Sequence, residues 1–98
     1  MLGERIPAEK AFEWGMIARL VDDGDLAEES VALATNLAQG PTVALGLIRK
    51  LARASAQLPL SEALGAERIA QREAGRTEDF RAAVLAFLQK RQPQFRGR

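Results

Sequence analysis

Histidine and cysteine are both absent from the 98 residues. With them go the commonest general base, the thiolate nucleophile and the usual transition-metal ligands. The three serines, Ser30, Ser55 and Ser61, have no imidazole to take their proton, so a Ser-His hydrolase is excluded. Glu28-Glu29 and the cluster Asp22-Asp23 with Asp25 offer hard oxygen ligands. They lack the spacing of a calcium loop, and turn and cap chemistry accounts for them. No catalytic residue and no metal site is expected. Neither G-x-G-x-x-G nor G-x-x-x-x-G-K occurs, which leaves dinucleotide and P-loop phosphate binding without support. The remaining chemistry is cationic. Lys90-Arg91 near the end of the chain either complements the dipole of a preceding helix or holds a phosphate. Phe12, Trp14, Phe80 and Phe87 read as core or interface residues before they read as ligand platforms.

Fourteen Lys and Arg stand against thirteen Asp and Glu, a net charge of +1 that gives no general attraction to nucleic acid. The charge is unevenly placed. Residues 1–48 hold three bases and eight acids, a net of −5, and residues 49–98 hold eleven bases and five acids, a net of +6. The basic half meets ligand phosphates, or it is the solvated side of ordinary basic helices. Hydrophobic residues make up 47% and charged residues 28%, a balance that folds, in a length that holds one compact domain. Leu2, Gly3 and charged residues follow Met1 directly, so no secretory leader is expected. No run approaches the roughly 18 apolar residues of a membrane span. A soluble, cytoplasmic chain with no membrane and no nucleic-acid partner is the expectation.

The elements that position these groups are helices. Pro7 opens a short one through Trp14, with Gly15 as its left-handed stop. Met16–Val21 is a brief extended run, one strand at most, and it has no partner strand in the chain. Asp25 starts a second helix to about Ala38, with Glu28 in capping-box position and a stripe of Leu26, Leu33 and Leu37. Gly40-Pro41 breaks and restarts the chain. The third helix carries Val43, Leu47, Ile48, Leu51 and Ala54 at helical spacing, and Leu58-Pro59 ends it. The fourth runs from about Leu60 to Gly75 with Ala63, Leu64, Ala70 and Ala74 as its apolar positions. Thr77 caps a fifth, whose Phe80, Val84, Phe87 and Leu88 form a stripe to be buried. Pro93 ends it, and the tail from Gln92 to Arg98 reads as a basic, frayed end. The fold class is all-α, about five helices with at most one short isolated strand, in a single domain over residues 1–98.

Three stretches carry a resemblance. Leu2-Gly3-Glu4-Arg5-Ile6-Pro7-Ala8-Glu9-Lys10-Ala11 through Gly15-Met16-Ile17, then Arg19-Leu20-Val21, resembles "(T)GE-I-A--A---GLV" and "--VV". Pro41-Thr42-Val43-Ala44-Leu45 to Arg49-Lys50 is similar to "P-AL---K". Thr77-Glu78-Asp79-Phe80 to Phe87-Leu88-Gln89-Lys90-Arg91-Gln92-Pro93-Gln94-Phe95 resembles "S-DF-EG--AFLEKR-P-F". In this order they resemble the C-terminal part of the enoyl-CoA hydratase/isomerase family, the crotonase superfamily. Gly40–Ile48, Gln71 and Thr77–Phe80 lean toward the isomerases of phenylacetate degradation. The resemblance covers the whole chain but only about a third of the family's usual length, and Met1 stands where the family continues from upstream sequence.

The resemblance implies a division of labour. The family's upstream region supplies the oxyanion hole and the acids for proton transfer, so this chain by itself is expected to be inactive. Its implied role is oligomerisation, within a parent trimer or dimer of trimers, and covering of the acyl-CoA site. Lys90 takes the place of the family lysine that contacts the coenzyme A of a neighbouring subunit, and Phe87, one turn earlier, lines the same place or the core. The coenzyme A thioester is then the substrate of the parent, and no covalent cofactor is implied. Two positions depart from the family: Ala82-Ala83 replaces its "EG", and Arg49 with Lys50 replaces a single lysine. The competing reading is an independent helical interaction module whose basic half binds an acidic partner.

Overall fold

In a computed structural model that describes residues 3–98, five α-helices follow one another: α1 (Ala8–Glu13), α2 (Leu26–Ala38), α3 (Thr42–Ser55), α4 (Leu60–Ala74) and α5 (Glu78–Leu88). Among the described residues there is no strand. Leu2, which opens the first resemblance stretch, lies outside them.

Prolines set three of the starts. Pro7, Pro41 and Pro59 each occupy the position just before a helix, for Pro7 and Pro41 one step outward of the first-turn position the sequence suggests. A proline there needs no amide donor, and its carbonyl begins the helical ladder. Those carbonyls accept the amides of Ala11, Leu45 and Ala63, each at 3.0 Å. The fifth start is the expected one. Thr77 accepts the Phe80 amide through its hydroxyl oxygen at 3.1 Å, and that hydroxyl donates back to the Ala74 carbonyl at 2.7 Å.

The chain divides into two units, Met1–Ala32 and Leu33–Arg98. In the first, α1 closes on Gly15 at φ +69. The Met16 amide donates to Ala11 at 2.9 Å and the Gly15 amide to Phe12 at 2.9 Å, the two bonds of a Schellman cap. This cap takes the Met16 amide that an extended ladder would have used, and Met16–Val21 accordingly forms no strand. Two exposed ion pairs lie in this unit, Lys10–Glu13 at 2.8 Å and Arg19–Glu29 at 3.0 Å. The Lys10 ammonium also stands 5.5 Å from the centre of the Trp14 ring.

The second unit is built on α3 packed against α4. Val43, Leu47 and Leu51 are half-buried, as their spacing predicts, and Ala70 is buried. Ile48 and Leu64 are exposed. They border an open apolar groove of about 390 Å³ along the α3–α4 pair. Large apolar side chains are left uncovered on every helix. The chain exposes 8726 Å². Two separate compact bodies of these lengths would expose about 6,600 Å² together.

Candidate functional site

Helix α5 packs the other way round from its apolar pattern. Its buried residues are Asp79 and Ala86, and Ala82 and Ala83 are half-buried. These four share one face by their spacing. Phe80, Val84, Phe87 and Leu88, the stripe expected in the core, are all exposed, Leu88 at 71% and Phe87 at 82%. Phe87 is therefore not a core residue of this chain. Small side chains on this face leave room for the returning tail, whose Phe95 shares an apolar recess with Ala83, and the large ones are left away from it.

That face ends at a second cap, which is cationic. The Arg91 amide donates to the Ala86 carbonyl and the Lys90 amide to the Phe87 carbonyl, both at 3.0 Å. This is the same Schellman pattern as at Gly15, but the left-handed residue, at φ 53, is Lys90. Phe87 and Lys90 thus belong to one cap, with the ring and the ammonium both on the exposed side of the fold. A backbone conformation that glycine adopts freely is held here by a side chain with a charge at its tip.

The segment beyond the cap is not frayed. Asp79 is only 3% exposed and gathers it in: its Oδ1 accepts the Arg96 amide at 2.7 Å and its Oδ2 the Gly97 amide at 2.8 Å. In return the Asp79 amide donates to the Arg98 carbonyl at 3.0 Å. One of the free amides of the α5 N-terminus is thereby satisfied, and a carboxylate sits where the helix dipole favours it. Phe95 borders an apolar recess with Pro41, Val43, Ala44 and Ala74. Gly97, at φ +73, passes so near α3 that a Cβ there would lie 2.6 Å from Thr42 Oγ1. The tail is held by a residue seventeen positions upstream, which is why its local composition suggested fraying. Asp79 carries no motif of its own; its place in the "DF" of the closing resemblance was the available signal.

The returning tail lays down a recess of mixed charge, about 360 Å³, beside the cap, lined by Arg81, Arg91 and Arg96 together with the acids Glu78 and Asp79. Glu78 is engaged by Arg98 at 3.0 Å. Arg81, Arg91 and Arg96 take part in no ion pair among the described residues. With Glu78 held by Arg98 and Asp79 by tail amides, the three guanidinium groups suit an anionic group such as a phosphate, while Phe87 lies round the other side of α5 from the recess. Among the described residues no group of His, Cys, Asp or Glu could hold a metal ion.

The family profile for enoyl-CoA hydratase/isomerase matches residues 1–98. The chain belongs to the enoyl-CoA hydratase/isomerase family. It is 47% identical over its whole length to the 1,2-epoxyphenylacetyl-CoA isomerase of Escherichia coli, of which it covers 37%. Its fold superposes with a TM-score of 0.87 on an enoyl-CoA hydratase from a Polaromonas species, at 32% identity, covering 96% of this chain and 37% of that one. An enoyl-CoA hydratase/isomerase from Mycobacterium paratuberculosis gives a TM-score of 0.90 at 29% identity over 99% of this chain and 38% of that one. The chain thus spans little more than a third of the length of the relatives it matches. No single helix among the described residues is long and apolar enough to cross a membrane.

Proposed function

We propose that this chain is the C-terminal helical segment of a cytoplasmic enzyme that hydrates or isomerises an enoyl-CoA thioester. Its helices pack on the catalytic core and on neighbouring subunits of a trimer or dimer of trimers. Lys90 and Phe87 contact the coenzyme A bound to an adjacent chain. The observation that carries this reading is the reversed packing of α5, which buries alanines and presents Phe80, Val84, Phe87 and Leu88 outward up to the lysine cap. An apolar face of that size beside a cationic turn fits a surface covered by protein on one side and by a phosphate-bearing ligand at its edge. By resemblance the oxyanion hole and the proton-transfer acids belong to the family's upstream region, so the chain alone is expected to bind and position without turnover.

A graft tests this. Residues 1–98 replace the aligned segment of the Escherichia coli isomerase, and the product is assayed for oligomeric mass and for turnover of 1,2-epoxyphenylacetyl-CoA. The expected result is an assembled, active graft in which Lys90→Ala raises KM. An unchanged KM would remove Lys90 from the site. A monomeric graft that keeps full turnover would end the assembly role, and conversion of crotonyl-CoA by the 98-residue chain alone would overturn the whole reading.

A further inference from the structure

We propose that Asp79 is a positioning residue for the Lys90 turn: its carboxylate, by clasping the amides of Arg96 and Gly97, closes residues 89–97 into a loop anchored at both ends. The inference rests on the reading of Lys90 as a coenzyme contact, and it adds a residue at the other end of α5.

Each anchor is visible. At one end the Lys90 and Arg91 amides are tied to the last turn of α5. At the other, both carboxylate oxygens of Asp79 are occupied by consecutive backbone amides, and its own amide is tied to Arg98. A carboxylate is the side chain that suits two parallel N–H donors, because both of its oxygens accept. Asparagine offers one acceptor and turns an NH₂ toward the second amide, so it leaves donors facing each other in a buried place. Gly97 is adapted to the clasp from the other side, since its positive φ and its approach to Thr42 leave no room for a side chain. An exposed lysine on a chain with one free end samples many positions, and fixing that end removes this entropy before a ligand arrives. Arg91, Gln94 and Arg96 are drawn into the shared recess by the same closure.

The test has two variants and two readouts. Asp79→Asn removes one acceptor, and a chain ending at Phe95 keeps the carboxylate but removes both donors. In each, amide exchange and ¹⁵N relaxation of the 98-residue chain are expected to show residues 90–95 mobile while α3 and α4 stay protected. The truncation keeps the idea falsifiable should Asp79→Asn fail to fold. In the isomerase graft, Asp79→Asn is expected to raise the KM for 1,2-epoxyphenylacetyl-CoA about five-fold at unchanged kcat, with no added effect when combined with Lys90→Ala. Residues 90–95 as ordered in both variants as in the parent would overturn the clasp. Loosening without any KM change in either Asp79→Asn or Lys90→Ala would leave the clasp standing and overturn the coenzyme reading of Lys90.

Discussion

At φ 53 the Lys90 backbone places its Cβ against a carbonyl, a strain of about 1–2 kcal/mol that glycine avoids. Glycine in turn is freer in the unfolded chain, which offsets about 0.4–1 kcal/mol of that gain. Lys90→Gly is therefore expected to stabilise the 98-residue chain by about 0.5–1 kcal/mol, read as a rise in thermal midpoint. The same change in the isomerase graft should raise KM, as Lys90→Ala does. Stability and binding then move in opposite directions at one residue, the pattern of a side chain kept for contact and not for folding. Lys90→Gly that loses stability would show instead that the lysine side chain supports its own cap. Thr77 gives the ordinary contrast. Its hydroxyl holds the Phe80 amide, so Thr77→Ala should cost about 1 kcal/mol by chemical denaturation, with no effect on KM beyond that of stability.

Helix α5 shows how far periodicity reaches. The spacing of Phe80, Val84, Phe87 and Leu88 identifies a helix and its apolar side, and the helix is there from Glu78 to Leu88. Which side is buried within this chain is a separate matter. The pattern describes every partner the helix has, and only the alanine face finds its partner in these 98 residues. The same holds for α2, whose leucine stripe is exposed from end to end. Caps were legible because their chemistry is local: Gly15 for a left-handed stop, Thr77 for a helix start. The docked tail was not, because the group that holds it is distant in sequence. Lys90 and Phe87 stood out by residue type and gained a coenzyme role only through resemblance, and only the backbone dihedral revealed Lys90 as a cap. The buried face makes a firm prediction. Ala86 is fully enclosed, so Ala86→Leu should destabilise the chain by about 1–3 kcal/mol through overpacking. Phe87→Ser, on the open face, should leave the stability of the unassociated chain within about 0.5 kcal/mol.

For the whole molecule, the decisive quantity is area. The 8726 Å² exposed exceeds the surface of two separate compact bodies of these lengths by about 2,000 Å². A standard interface covers about 800 Å² on each partner, so the excess matches more than one protein contact. Exposed ion pairs such as Arg98–Glu78 do not compensate, since each contributes about 0–1 kcal/mol. The uncovered apolar area is spread over every helix, with α5, the α2 stripe and the α3–α4 groove among its largest parts, and such area favours association. Light scattering on a sizing column is therefore expected to give a mass above the 10.7 kDa of one chain, with a thermal midpoint that rises with concentration. Replacing both Phe87 and Leu88 by serine should lower that mass while far-UV circular dichroism keeps its helical signal. A helical monomer at every concentration would mean that these helices close over their own stripes in solution, and the assembly role would then rest on other parts of the enzyme. An oligomer insensitive to the double substitution would place the contact on another uncovered face, and Ile48→Ser in the α3–α4 groove and Leu33→Ser on the α2 stripe are the next changes to make.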